Sequence, residues 1–395
     1  MRAKSGRFSP TASCAAALLA ASILAFAGPA RATPYSQINL VTDDQAILLG
    51  LGYAAAATVD PLLINPWGLS RTASSPIWVS DNGTGVSTLY NGAGVKQALV
   101  ETVPPAAGSP PGTLGTPTGQ VNNPTAANFQ GASFIFATED GTISARFGAA
   151  TTAVIKVAAS GLPTDPVYKG LAISSPGSTP LLYAANFRSG VVDVFDTNFN
   201  KVGTIVDPSI PAGYAPFNVQ VLNNELFVTY ALQDAAGHDD VAGPGNGFVD
   251  EFTQAGVLVR RVASMGLLNS PWGLDIAPPG FGQYSGDLLV GNFGDGTINV
   301  YNPDGTDLLL GTLEDGTGQA LRIDGLWALM NGSGAGNGGN ASFVYFTAGI
   351  DDEAHGLFGA IAALPEPASL ALLAGGLAGL SGMGTMRRRR KAAVL

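Results

Sequence analysis

"NPWGLSRTASSPIWVSDNGTGVSTLYNGAG", Asn65 to Gly94, returns two hundred positions later as "SPWGLDIAPPGFGQYSGDLLVGNFGDGTINVYNPDG", Ser270 to Gly305. The same frame recurs from Tyr168 in "YKGLAISSPGSTPLLYAANFRSGVVDVFDTNFN", and weaker copies begin near Pro124, Pro216 and Ile323. Each copy reads as a short apolar strand A, a turn, strand B, a hairpin, strand C, and usually strand D. The alternation in "TINVYN" and "VVDVFD" fits half-buried strands. The Asp-Gly and Asn-Gly steps of "EDGT", "GDGT" and "NGTG" predict two-residue primed turns with positive φ. Four-stranded units repeating at this period are propeller blades, each of which buries its faces only against its neighbours.

Six copies predict six blades, and the last one lacks a strand D. After its strand C, Gly356 to Ala362, the chain runs directly into Leu364 and Pro365. At the other end "YSQINLV", Tyr35 to Val41, has no partner before blade 1 opens. The expectation is an all-β, six-bladed propeller over residues 33–363, closed by this N-terminal strand, which removes the exposed edges of an open array. The Ala-rich "LLGLGYAAAATVDP" from Leu48 stands where a shorter polar connection is expected.

The ends predict export. Residues 1–32 carry a basic start (Arg2, Lys4, Arg7), an apolar stretch and a small-x-small Ala30-Arg31-Ala32, the pattern of a cleavable signal peptide for the Sec machinery. Cys14 is the only cysteine and lies within it, so the exported body has no disulfide and no cysteine ligand. Residues 364–395 hold Pro365-Glu366-Pro367, an uncharged span from Ala368 to Met386, and the basic cluster Arg387, Arg388, Arg389, Arg390 and Lys391. Such a span is long enough to cross a bilayer, and the basic residues hold its end on the cytoplasmic side.

This tail resembles the PEP-CTERM sorting signal of Gram-negative bacteria. The resemblance implies an inner-membrane anchor, processing by an exosortase, and a final place at the cell surface or in the extracellular matrix. The body, with "NLVTDD", "NPWGLS", "VSDNGTGVSTLYNG", "GYAPFNVQ" and "DDEAHGLFGAI", resembles a family of PEP-CTERM-anchored proteins. That implies a propeller of the NHL-like and lactonase-like six-bladed groups and brings no activity with it.

The chain has 19 Lys+Arg and 29 Asp+Glu. The two ends hold nine of the basic residues and one acid, leaving 10 against 28 in the body. So acidic a body, without a basic stripe, does not suit nucleic acid.

Chain direction alternates along a blade, so all B–C hairpins must emerge on one face. Asn82, Glu139, Asp140, Asn186 and Asn292 go there, with both histidines of the chain: His238 in "LQDAAGHDDVAGPGNG" and His355 in "GIDDEAHGLFG". His238, Asp239, Asp240, Asp351, Asp352, Glu353 and His355 are the candidate metal ligands, for Ca²⁺ or another divalent cation. Asp and Asn beside Gly also serve simply to close turns through their own backbone. The loop from Ala231 to Gly247 is expected to carry His238 or Asp240 to the Asp351–His355 segment.

Trp67, Trp272 and Trp327 fall in innermost strands, as packing or as stacking platforms, and Gly68 and Gly273 after the first two predict close backbone approach. No nucleophile elbow or phosphate loop is present, and no catalytic residue is assigned. The sequence therefore favours a non-enzymatic propeller that binds an envelope or polysaccharide ligand through its loop-bearing face. The alternative is a metal-dependent, lactonase-like hydrolase, in which Asn82, Asn186, Asn292, Asp275 and Asp324 would converge on a cation.

Overall fold

The computed structural model describes residues 33–365, and its strands form six sheets, one per blade. The innermost strands are Pro66–Ser70, Pro117–Asn122, Tyr168–Ile173, Tyr214–Leu222, Pro271–Ile276 and Leu326–Asn331. Blade 2 therefore begins at Pro117, earlier than the repeat near Pro124 suggested. Its inner strand "PTGQVN" carries a polar Thr and Gln where the stronger copies have Trp and Leu, which hid it.

Closure occurs as expected, with the N-terminal strand one residue longer and strand C shifted one residue toward the C-terminus. Tyr35–Thr42 pairs antiparallel with Leu357–Ala363, in a register that sets Tyr35 against Ala363 and Thr42 against Leu357. The Ala-rich segment has a role after all. Asp44 caps a short helix, Gln45–Gly50, by accepting hydrogen bonds from Ala46 N (2.7 Å) and Ile47 N (3.2 Å), and the helix buries Leu48. The chain then returns as Thr58–Val59, parallel to the closing strand, and covers part of its edge.

The hairpins differ from the primed turns expected. In three blades a four-residue loop joins strands B and C, and its last residue alone is left-handed: Gly85, Gly190 and Gly296, at φ 69°, 69° and 68°. This is a right-handed turn followed by one left-handed residue, so a single glycine meets the steric demand that a primed turn places on two.

The apolar residues lie mainly between neighbouring blades. Val192, Val194, Val219 and Val228, for example, seal blade 3 against blade 4, and Leu274, Val290 and Val249 seal blade 4 against blade 5. At the axis the inner strands touch. A Cβ on Gly68 would lie 2.5 Å from Thr118 O, and one on Gly273 2.7 Å from Trp327 O, as the sequence reading required.

The proposed signal peptide, the apolar span and the basic cluster, with Glu366 and Pro367, lie outside the described residues. Among the described residues no helix is long and apolar enough to cross a membrane.

Candidate binding site at the channel mouth

Every inner strand is irregular at the same point. The pairing of strands A and B shifts register after Pro66, Pro117, Tyr168, Pro216, Pro271 and Leu326. A bulge re-aims the side chain it carries, and six equivalent residues stand at these bulges: Trp67, Thr118, Lys169, Phe217, Trp272 and Trp327. All six are buried.

Three tryptophans of this ring close the channel. Trp67 stacks on Trp327 with ring centroids 3.5 Å apart, while Trp272 meets both edge-on, at 6.2 and 5.8 Å. Phe217 packs on Trp327 across the axis at 5.8 Å. The tryptophans are thus core rather than an open platform. Their polar edges are partly used: Trp327 Nε1 donates to Asn65 Oδ1 (3.0 Å) and Trp272 Nε1 to Lys169 O (3.1 Å).

The exception in the ring is Lys169, which takes the tryptophan slot of blade 3 and is 2% exposed. Its Nζ lies 2.5 Å from Glu139 Oε1, 3.2 Å from Asp239 Oδ1 and 5.1 Å from the Trp67 ring centroid. Glu139 belongs to the B–C hairpin of blade 2 and Asp239 to the long B–C loop of blade 4. One ammonium therefore joins its two neighbouring blades. Burial opposes its charge, yet the two carboxylates hold its pKa above the ordinary lysine value. The signal that would have found Lys169 is its place before Gly170, matching Trp67-Gly68 and Trp272-Gly273.

The long loop explains His238. Asp234 Oδ1 accepts from the backbone N–H of His238 (2.8 Å) and of Asp239 (3.3 Å), folding the loop back on itself. His238 Nδ1 then stands 2.9 Å from Asp239 Oδ1. That hydrogen bond raises the His238 pKa and, with Lys169, holds the Asp239 carboxyl well below the usual range. Glu139, His238 and Asp239 present ligating atoms within 4.8 Å of one another. The Lys169 ammonium contacts the same two carboxylates, so a metal there would compete with it for them.

The second histidine segment lies on the same face, but His355 is taken up by Asp43 rather than by the His238 loop. Its Nδ1 pairs with Asp43 Oδ2 (2.7 Å), and Asp43 Oδ1 accepts from Gly356 N (2.8 Å), so the residue just after the closing strand anchors this loop. Asp351, Asp352 and Glu353 have φ of 58°, 52° and 65°, three left-handed residues in succession, none of them glycine. Glu353 N donates to Gly349 O and His355 N to Ile350 O, while Asp324 Oδ2 accepts from Asp351 N. Such a turn costs of order 1–3 kcal/mol at each residue, and its result is to aim Glu353 inward. Glu353 Oε2 accepts from Asn65 Nδ2 at 2.5 Å. Burial pushes its carboxyl up to about 7, with Glu139 and Asp240 adding to the effect and Asn65 and Lys169 opposing it. Asp351 and Asp352 are exposed.

The long loop thus leans toward Lys169 of blade 3, where His238 meets Asp239, while Asp240 comes within electrostatic reach of Glu353 in the Asp351–His355 segment. The blade 6 segment reaches the mouth through Glu353 alone, within the electrostatic influence of Asp240. Of the residues invoked for a hydrolase, only Asn82 reaches this group, donating to Glu139 Oε2 at 2.8 Å. Asn186 is bound to Asp193 within its blade, Asn292 to its own turn and to Leu267 O, and Asp275 to the backbone of Ile276 and Asn331. Each is held by its own surroundings.

No protein family's profile matches the chain. Among solved structures it is similar to a streptogramin B lyase, at 11% identity over 84% of this chain and 97% of that one, with a TM-score of 0.46. A virginiamycin B lyase from Staphylococcus aureus superimposes at a TM-score of 0.44 and 10% identity, over 84% and 99% of the two chains. At this degree of likeness nothing follows about activity. Two proteins of Acanthamoeba polyphaga mimivirus are nearer in sequence. Uncharacterized protein R648 is 30% identical over 85% of this chain and 82% of its own length, and uncharacterized protein L690 31% identical over 85% and 87%. The chain belongs to the family of these mimivirus proteins, R648 and L690.

Proposed function

We propose that this chain is a ligand-binding propeller, exported and held at an envelope surface, whose recognition surface is the channel mouth on the face bearing the B–C loops. One observation carries the binding part: charged side chains from blades 2, 3, 4 and 6 converge over a channel that three tryptophans close. Residues that only stabilised the blades would have no reason to meet there, and preorganised polar groups over an apolar floor are what ligand sites use.

Binding is favoured over hydrolysis because Asn186, Asn292 and Asp275, which would have to converge on a catalytic cation, are each taken up by other partners. Lys169, raised and paired, is a fixed positive charge rather than a nucleophile. A divalent ion such as Ca²⁺ would have to compete with it for Glu139 and Asp239. Export and sorting rest on the two ends of the sequence, and the proposed partners are the Sec machinery, an exosortase and an envelope polysaccharide.

The test is a binding screen of the purified protein against envelope polysaccharides and small polar ligands, with Ca²⁺, Mn²⁺ or EDTA, and a lactone and phosphoester turnover assay alongside. A bound ligand should be lost in Glu139→Gln and Asp239→Asn variants that melt as folded proteins. Metal-dependent turnover, or binding indifferent to both substitutions, would overturn the reading.

A further inference from the structure

The tryptophan stack does not end at Trp327. Phe293, on the B–C hairpin of blade 5, lies on it with centroids 4.1 Å apart and planes 22° apart, and it is only partly buried. It is the aromatic ring at which the stack reaches the mouth. Its counterpart in blade 3, Phe187, is fully buried against Phe217.

On one side, Phe293 N donates to Ser270 O. Ser270 is fully buried, with a left-handed φ of 46° just before Pro271. Its hydroxyl faces Asp240, and among the described residues neither Ser270 Oγ nor Asp240 Oδ2 has a hydrogen-bond partner of good geometry, although both atoms are buried. On the other side, Trp327 beneath Phe293 is bound to Asn65, which holds Glu353. Asn65 repeats the Ser270 arrangement, with a left-handed φ of 45° before Pro66. The two inner strands thus enter alike, each facing an acid from the B–C loop of the preceding blade.

The two acids lack what Glu139 and Asp239 have. Lys169 bridges that pair, whereas no salt bridge involves Asp240 or Glu353 among the described residues. Asp240 Oδ2 is besides a buried acceptor without a donor, which is costly and calls for a partner. An aromatic face with such carboxyls near it attracts a soft organic cation through its quadrupole and their charge together. Asp240 and Glu353 form no set of three ligating side chains with another residue, unlike Glu139, His238 and Asp239. Two carboxyls are few oxygen ligands for a bare divalent ion, whereas an alkylammonium needs only an aromatic face and negative charge beside it.

Resting on the binding reading above, we propose that the mouth recognises an ammonium group, seated on Phe293 near Asp240 and Glu353, with Ser270 beside it. The ligand class is an organic amine or quaternary ammonium carried on a larger molecule.

The probes are tetramethylammonium and n-butylammonium, with the uncharged neopentyl alcohol as a control of similar shape, titrated into the full protein by calorimetry and by tryptophan fluorescence. Both cations should saturate one site, and the alcohol should not. Glu353→Gln and Asp240→Asn should each weaken binding about tenfold, and Phe293→Leu severalfold, with unchanged near-ultraviolet dichroism. If a variant does not fold, the contrast between cation and alcohol on the unaltered protein still decides. Equal binding of the alcohol, cation binding indifferent to all three substitutions, or Ca²⁺ displacing the ammonium at low concentration would overturn the proposal. A different ligand at the mouth, found while both ammonium probes fail, would sink this inference and leave the binding reading standing.

Discussion

Replacing Lys169 by Met tests whether the axis depends on one charge. At an effective dielectric of about 20, unit charges about 3 Å apart attract by roughly 5 kcal/mol, and the cost of burying the ammonium offsets several of these. Removing one partner of a buried pair costs about 3–5 kcal/mol, because the other charge stays behind. Here the Glu139 side chain is 13% exposed and Asp239 is 66% exposed, so Glu139 is stranded and Asp239 is largely rescued by water. The low end of the range applies, about 3 kcal/mol. Spread over the unfolding entropy of a propeller of this length, that lowers the melting temperature by about 4 °C. Urea unfolding followed by tryptophan fluorescence reads it, since Trp67 lies under the ammonium. Adding Glu139→Gln to Lys169→Met should recover about 2 kcal/mol, which is the coupling a double-mutant cycle isolates. A Lys169→Met protein as stable as the original, or a double variant no better than the sum of its parts, would refute the idea that this pair ties blades 2 and 3 together.

Two further outcomes are expected. Gly170→Ala would drive its new methyl into Asn218 of the neighbouring inner strand and should cost at least about 3 kcal/mol, whereas Gly190→Ala, in open space at φ 69°, should cost only about 1 kcal/mol; equal melting losses would contradict the close approach at the axis. Burial pushes Asp275 up to about 7, against its hydrogen bonds from Ile276 and Asn331. An unfolded aspartate titrates near 4, so the folded state holds the extra proton in between. Stability from this group should therefore fall as pH rises from about 4 to about 7 and level off above. Urea unfolding at several pH values checks it, and an Asp275→Asn variant with the same slope would remove Asp275 as the cause.

The six blades, their closure and the shared face of the B–C hairpins were legible in the sequence because they follow from local rules. Two-residue periodicity marks a strand, glycine marks a turn, and antiparallel order makes like hairpins emerge together. The unpaired "YSQINLV" at one end and the missing fourth strand at the other needed only to be counted to be matched. The glycines that follow Trp67 and Trp272 obey the same logic, since a crowded axis admits no Cβ at Gly68 or Gly273.

What only the tertiary structure decided is which side chains meet. Lys169 and Glu139 are 30 residues apart, and Lys169 and Asp239 are 70 apart, so no local pattern links them. Their meeting depends on a bulge that turns one residue of each inner strand toward the axis, and on blades that place chain-distant loops side by side. His238 and His355 looked alike in sequence because both stand among acids. They separate in the fold because Asp234 closes the first loop on itself, whereas Asp43, brought in by ring closure, captures the second. That capture leaves Glu353 directed inward through a left-handed turn, which non-glycine residues adopt only when their surroundings over-determine it. Composition set how much negative charge the body carries; the ring geometry alone determined that one lysine pairs with two of those charges while Asp240 and Glu353 form no salt bridge among the described residues.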